Sequence, residues 1–189
     1  MDERLQKKLV GRYPHIFKDY RGDMRYTCMA WGFECGDGWF ELLNNMCHDI
    51  VELGQNKNIQ VIAHQVKEKF GGLRFYYGVE SDYTILNRLD TKIRNLMFSR
   101  KLGIPYWKIV NFRRKFYKTA EEKISDRISQ AEDESYETCE SCGKPGKTRG
   151  GGWVYTACES CHEKYEEGKR RWKNPEEFPS VHDKLFRKE

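Results

Sequence analysis

The first clear hydrophobic pattern runs through the sequence WGFECGDGWFELLNNMCHDIVEL. Apolar residues recur there every three to four positions, which places them on one face of a helix. The pattern predicts a helix over about 39–53, preceded by a Gly-Asp-Gly turn in which Asp37 or Gly38 caps the helix. The predicted apolar face consists of Trp39, Leu43, Met46, Cys47, Ile50 and Leu53.

A β-hairpin is predicted next in the chain. Residues 59–70 are β-branched and partly alternating, Gly71-Gly72 is a turn dipeptide, and residues 73–79 are rich in aromatic side chains. Two extended runs joined by a short glycine turn are typical of a hairpin.

Helical periodicity returns after the hairpin. One helix is predicted over about 81–102, and another from roughly 106–108 to 136 with Ile124, Ile128 and Ala131 on its later apolar face. A charged helix and a proline-containing tail follow the last cysteine. The pattern therefore predicts an α+β fold in which a β-hairpin packs with several helices.

Composition narrows the class of protein. The 189 residues are 38% hydrophobic and 14% aromatic, which is enough for a core of ordinary size. No apolar run approaches the roughly 20 residues that span a bilayer. The N-terminal MDERLQKKLVGRYP carries charges where a signal peptide has an apolar centre. We therefore expect a soluble protein that is not secreted and has no membrane partner.

Four of the seven cysteines form two identical C-E-S-C quartets, fifteen residues apart. Two thiolates separated by two residues can reach one ion from a tight turn, and two such turns complete a tetrahedron around Zn²⁺. The spacing predicts a small zinc ribbon whose Zn²⁺ is structural, because no coordination position stays open for catalysis. The predicted ligands are Cys139, Cys142, Cys158 and Cys161.

Other cysteine chemistry is less well supported. Two redox dithiols are the alternative for the quartets, but neither has the βαβ surroundings of a thioredoxin-like motif. Cys28, Cys35 and Cys47 could form a second metal site with His48, although their spacing fits no established ligand pattern. Cys47 lies on the predicted apolar helix face, where a small buried thiol is the common case. His162 is interpreted as a surface residue rather than a further ligand.

The net charge of +5 is modest, but positive charge is concentrated in two places. The loop between the quartets contains Lys144, Lys147 and Arg149 and no acidic residue. Four thiolates on Zn²⁺ carry a net charge of about −2, which these cations could offset. Contact with phosphate groups is the alternative.

The second basic segment is SRKLGIPYWKIVNFRRKFYKT, residues 99–119, which contains Lys108, Arg113 and Arg114 and no acidic residue. Aromatic side chains are interleaved with its cations. Exposed rings can stack on unpaired bases, but rings at helical spacing can equally face a core. We interpret the cations as contacts for an acidic partner, either nucleic acid or protein.

Signals for catalysis are weak. Gln65 and Lys67, or Glu68 and Lys69, faintly resemble the strand of metal-dependent nucleases, for which Asp37 could supply a carboxylate. However, Glu68 and Lys69 are adjacent and point to opposite faces of a strand, and glutamine is a poor Mg²⁺ ligand. We therefore assign no catalytic residue and no small-molecule cofactor.

Three blocks are specific in order and wording: CMAWGFECGDGWFELL (28–43), QVKEKFGGLRFYY (65–77) and TCESCGKPGKTRGGGWVYTACESC (138–161). In these blocks the chain resembles a family of small tailed-bacteriophage proteins, over most of residues 8–162. Residues 83–120 look like an insertion relative to shorter members. The resemblance implies a phage accessory protein that acts in the host bacterial cytoplasm, and it carries over no catalytic residues.

The predicted organisation is an α+β domain over 1–136 with a basic, aromatic helical insertion at about 83–120. A zinc ribbon over 137–163 and a charged helical tail over 164–189 follow. The leading hypothesis is a zinc-binding accessory protein that binds nucleic acid or a host nucleoprotein machine. A protein–protein inhibitor of a host defence or transcription factor is the alternative, and a metal-dependent nuclease is the third.

Overall fold

The computed structural model describes residues 1–55, 59–81, 120–150 and 152–173. The predicted helix over about 81–102, nearly all of the predicted insertion and residues 174–189 lie outside the described residues. Within them the helices are α1 (Glu3–Arg12), α2 (Phe40–Gln55), α3 (Ala120–Ser135) and α4 (Glu159–Lys173). The strands are β1 (Phe33–Glu34), β2 (Ile59–Lys69), β3 (Gly72–Ser81), β4 (Lys147–Arg149) and β5 (Tyr155–Ala157).

The predicted α+β class and the predicted hairpin are confirmed. Strands β2 and β3 pair antiparallel, and β1 adds to β2 in parallel. The turn lies one residue earlier than predicted, because Phe70 and Gly71 both have positive φ angles of 54° and 80°. Two consecutive residues with positive φ are typical of the tight turns that match the twist of a hairpin.

Helices α2 and α3 pack against each other and against the hairpin. The predicted apolar face of α2 is confirmed, since Trp39, Leu43, Met46, Cys47 and Ile50 are buried and Leu53 packs against the core. The predicted face of α3 is buried as well. None of the described helices combines the length and apolar character needed to cross a membrane.

The free edge of β3 is covered by polar side chains of α3. The backbone N–H of Leu73 donates to Ser135 Oγ at 2.8 Å, and that of Phe75 donates to Glu132 Oε1 at 2.9 Å. An uncovered strand edge presents unpaired backbone groups to other chains. Helix α3 therefore fixes the hairpin by hydrogen bonds as well as by apolar contact.

The Gly-Asp-Gly segment does not cap α2 as predicted. Residues Asp37–Trp39 form a 3-10 turn, and α2 begins at Phe40. The carboxylate of Asp37 accepts the backbone N–H of Asp2 at 2.5 Å instead. Gly36, which precedes the turn, has no side chain to provide a capping hydrogen bond. The sequence pattern was compatible with a cap, but the segment serves a long-range contact.

The Gly-Asp-Gly segment and Trp39 also contact the region around the first cysteine quartet. The N–H of Gly38 donates to the Glu140 carbonyl at 2.7 Å, and the N–H of Gly36 donates to Glu140 Oε1 at 2.8 Å. The indole N–H of buried Trp39 donates to the Thr138 carbonyl at 2.8 Å. Three of the four residues from Gly36 to Trp39 thus bind the chain that leads into and through the quartet.

The hairpin turn makes a second contact with the same region. The Thr156 hydroxyl donates to the Gly71 carbonyl at 2.6 Å, and Thr156 is buried. A Cβ at Gly72 would lie 2.4 Å from the ring of Tyr136. Tyr136 in turn accepts a hydrogen bond from Arg74 at 2.6 Å. Both glycines of the turn dipeptide are therefore placed where another part of the chain approaches closely.

We predict that Gly38→Ala destabilises the protein by about 1–3 kcal/mol, the usual range for overpacking. A Cβ at position 38 would lie 2.2 Å from the Cys139 carbonyl oxygen and 2.4 Å from the Gly143 nitrogen, so backbone would have to move. The free energy of unfolding, measured by urea denaturation of the metal-loaded protein, tests this prediction.

Gly11→Ala is the matched control, because a Cβ there meets nothing within 4 Å. Its position in α1 predicts a stabilisation of about 0.5–1 kcal/mol from helix propensity. Equal unfolding free energies for Gly38→Ala and the wild type would contradict the proposed close packing.

Candidate metal centre

The two cysteine quartets form two turns held by backbone hydrogen bonds. In the first, the Gly143 N–H donates to the Cys139 carbonyl and the Cys139 N–H donates to the Lys144 carbonyl, both at 2.8 Å. Gly143 has a φ angle of 75°, which glycine adopts without strain. The second turn leads directly into α4. The short β4–β5 hairpin joins the two turns.

These turns bring the sulfur atoms of Cys139, Cys142, Cys158 and Cys161 within 4.8 Å of one another. Sγ of Cys142 lies 3.6 Å from Sγ of Cys158. A tetrahedron with metal–sulfur bonds of about 2.3 Å has sulfur–sulfur edges of about 3.8 Å, whereas a disulfide bond is about 2.05 Å. The cluster therefore has the dimensions of a four-thiolate metal site.

The surroundings of the cluster favour a thiolate at Cys158. A hydrogen bond from the Ser160 hydroxyl and another from the backbone N–H of Cys161 lower the pKa of the Cys158 thiol to about 6. Burial and the neighbouring sulfurs raise the pKa of Cys161 to about 12. A metal ion that binds Cys161 at neutral pH would therefore displace its proton, which makes the affinity for the ion depend on pH.

Arg149 has a structural role in the described chain. Its guanidinium contacts both carboxylate oxygens of Glu159, the closer at 2.8 Å, and donates to the Ala157 carbonyl at 3.2 Å. Only 9% of the Arg149 side chain is exposed. These contacts hold the hairpin to the start of α4. Lys144 and Lys147, by contrast, are exposed.

The remaining cysteines do not form a second cluster. Within the described ranges, no other group of three or more histidine, cysteine or carboxylate side chains is placed to hold a metal ion. Cys35 and Cys47 are buried in the core, and burial raises the pKa of Cys35 to about 12. Cys28 is exposed. His162 is half-buried and contacts the Tyr155 hydroxyl through Nδ1 at 2.7 Å.

The residues considered for a nuclease have other contacts. Glu68 accepts the N–H of Gly71 at 2.6 Å and closes the hairpin turn. Gln65 donates to Glu34 at 3.0 Å. Together with Asp37, whose carboxylate binds the N-terminal backbone, these side chains belong to no potential metal-binding group in the described part of the chain.

Some predicted contact residues are not among those described, and one residue of the site was not predicted. The predicted contacts Lys108, Arg113 and Arg114 lie outside the described residues. Glu140 was not singled out from the sequence, yet it joins the first quartet to the Gly-Asp-Gly turn. Its position between two cysteines gave no signal, because a hydrogen bond between residues 104 positions apart leaves no local pattern.

Comparison of the chain with protein-family models, curated proteins and solved structures gives no match.

We predict that the chain binds one divalent ion and loses it when the cluster is disrupted. The double substitution Cys142→Ser/Cys161→Ser removes one thiolate from each turn, and the remaining pair cannot complete the tetrahedron. Elemental analysis and titration with Co²⁺, monitored by its thiolate charge-transfer absorption, should show stoichiometric binding only for the intact cluster.

The control is Cys28→Ser, which removes an exposed thiol outside the cluster. It should retain one ion per chain. A tightly bound stoichiometric ion in the double variant would show that the cluster is not the metal site.

Proposed function

We propose that the chain is a zinc-binding accessory protein that binds nucleic acid, with Zn²⁺ serving a structural role. Thiolates are soft ligands, and a tetrahedral set of four favours Zn²⁺ over the oxygen-seeking Mg²⁺ or Ca²⁺. A closed set of four protein ligands leaves no position for a reacting water. The ion then holds a surface in place rather than performing chemistry.

The proposal rests on the different exposure of the three cations in the loop between the cysteine quartets. Arg149 is covered and paired with Glu159, so it holds the loop to α4. Lys144 and Lys147 are exposed, and the loop contains no acidic residue. Exposed lysines on a rigid backbone supply the salt-dependent attraction to phosphate on which non-specific nucleic-acid binding depends.

The predicted contacts of the basic segment extend this proposal. Lys108, Arg113 and Arg114 lie in a segment of 21 residues without an acid, residues 99–119. The resemblance to tailed-bacteriophage proteins adds the expectation that the partner is encountered in the host cytoplasm. A host nucleoprotein machine, in which nucleic acid is already bound to protein, is included in this proposal.

We expect Lys144→Glu/Lys147→Glu to weaken binding to a fluorescent DNA duplex and to flatten its salt dependence. Removing two phosphate contacts should reduce the slope of log K against log salt by about 2. Fluorescence anisotropy at several salt concentrations measures both quantities. The predicted contacts outside the described residues are tested in parallel with Arg113→Glu/Arg114→Glu.

The matched control is Lys8→Glu/Lys123→Glu, which makes the same change in net charge at exposed positions of α1 and α3. If this control weakens binding as much as Lys144→Glu/Lys147→Glu, the loop is not a specific contact surface. Absence of salt-sensitive binding by the wild type would reject nucleic-acid binding altogether.

A second candidate function, a protein–protein inhibitor of a host factor, is favoured by a separate observation. The segment that leads into and through a 3-10 turn at Cys28–Trp31 exposes three large apolar side chains: Met24 is 66% exposed, Tyr26 84% and Trp31 60%. Exposed aromatic side chains often act as anchors at protein interfaces. Pull-down from nuclease-treated host lysate distinguishes the two candidates. A direct protein partner is still recovered after the treatment, and its recovery requires Tyr26 and Trp31. A partner bridged by nucleic acid is no longer recovered.

A further inference from the structure

One face of α4 forms a groove that is lined neither by the metal ligands nor by the lysines of the loop. The helix has no buried residue, and the groove along it has a volume of about 620 Å³. Among the described residues it is lined by three lysines, two aromatic residues and a glycine, with no acid. They are Lys164, Tyr165, Gly168, Lys169, Trp172 and Lys173.

Trp172 supplies a free aromatic surface in this groove. Its side chain is 87% exposed, the largest exposure among the large hydrophobic residues of the described chain. Tyr165 is already engaged, because its ring lies 4.5 Å from that of Tyr155 and the Lys169 ammonium lies 4.5 Å from its centroid. Tyr165 therefore joins α4 to the ribbon, while Trp172 has a face available for a ligand.

Gly168 keeps the floor of the groove open between the two rings. A Cβ at this position would meet nothing within 4 Å, so no close contact in the described structure requires glycine there. Glycine inside a helix costs about 1 kcal/mol relative to alanine. Its effect here is to leave space beside Trp172 for a flat group.

The charges of the groove fit a polyanion. The side chains of Lys164 and Lys173 make no hydrogen bond or ion pair within the described part of the chain. The Lys169 ammonium binds the Glu166 carboxylate at 3.0 Å. An apolar peptide would gain nothing from the lysines, and an acidic peptide would leave the indole without a flat partner. Phosphates linked to unpaired bases satisfy both features, since bases stack on aromatic side chains while cations contact the backbone.

We propose that the α4 groove binds single-stranded nucleic acid, with Trp172 stacking on an unpaired base and Lys164 and Lys173 contacting phosphates. This inference rests on the nucleic-acid binding proposed above and adds a preference for unpaired strands. In a duplex the base faces are covered by their neighbours, so Trp172 has nothing to stack on.

The experiment compares a fluorescent single-stranded 12-mer with the corresponding 12-base-pair duplex, using the full-length, metal-loaded protein. Trp172→Ala removes the stacking ring. Gly168→Leu fills the groove and replaces a helix-breaking residue with a helix-favouring one, so a loss of binding cannot be ascribed to unfolding. Phe70→Ala, which removes an exposed ring from the hairpin turn, is the control.

We expect both groove variants to lose at least about five-fold in affinity for the single strand, the lower end of the measured contribution of one stacked base. Duplex affinity should change by less than about two-fold on the same argument, because phosphate contacts are retained. Quenching of tryptophan fluorescence by the single strand should also depend on Trp172. Phe70→Ala should behave like the wild type in every one of these assays.

The groove proposal would be overturned if both groove variants bound the single strand and the duplex as strongly as the wild type does. Nucleic-acid binding itself would then stand. Absence of binding to either oligonucleotide would overturn the proposed function itself, and the groove proposal with it.

Discussion

The structure depends on backbone-to-backbone contact between the Gly-Asp-Gly turn and the first cysteine quartet. The ribbon is too small to bury a core of its own, since its buried apolar cluster consists of Cys139, Ala157 and Cys158. Small modules of this kind need a metal ion or a partner surface to remain folded. Here the ion would hold the ribbon together from inside, while Gly38 and Trp39 hold it against the body from outside.

Close contacts between these regions explain why two of the sequence blocks carry glycine pairs, where they meet the block that carries the cysteine pairs. At Gly36 and Gly38 a Cβ would lie within 2.4 Å of ribbon backbone, and at Gly72 it would enter the ring of Tyr136. The blocks are therefore parts of one interface that joins hairpin, helix and ribbon. The motif around Gly36 has a structural role, and its resemblance to a helix cap is superficial.

Sequence periodicity predicted the elements well and their contacts poorly. The apolar face of α2, the hairpin and the cysteine cluster each follow from residues at short, regular separations. The cap assigned to Asp37 was wrong because a distant partner, the backbone of Asp2, binds that side chain. The Arg149 side chain likewise binds a distant partner, Glu159. Pairing between such partners is decided by tertiary packing, which one-dimensional patterns do not record. The parallel addition of β1 to the hairpin was missed for the same reason.

If a metal ion in the cysteine cluster stabilises the contact between ribbon and body, amide hydrogen exchange measured before and after chelation will reveal it. The N–H groups of Gly36 and Gly38 bond to Glu140, which lies inside the first quartet. We expect metal removal to accelerate amide exchange across residues 138–162 and at these two glycines in the body. Faster exchange confined to the ribbon, with Gly36 and Gly38 protected as before, would contradict it.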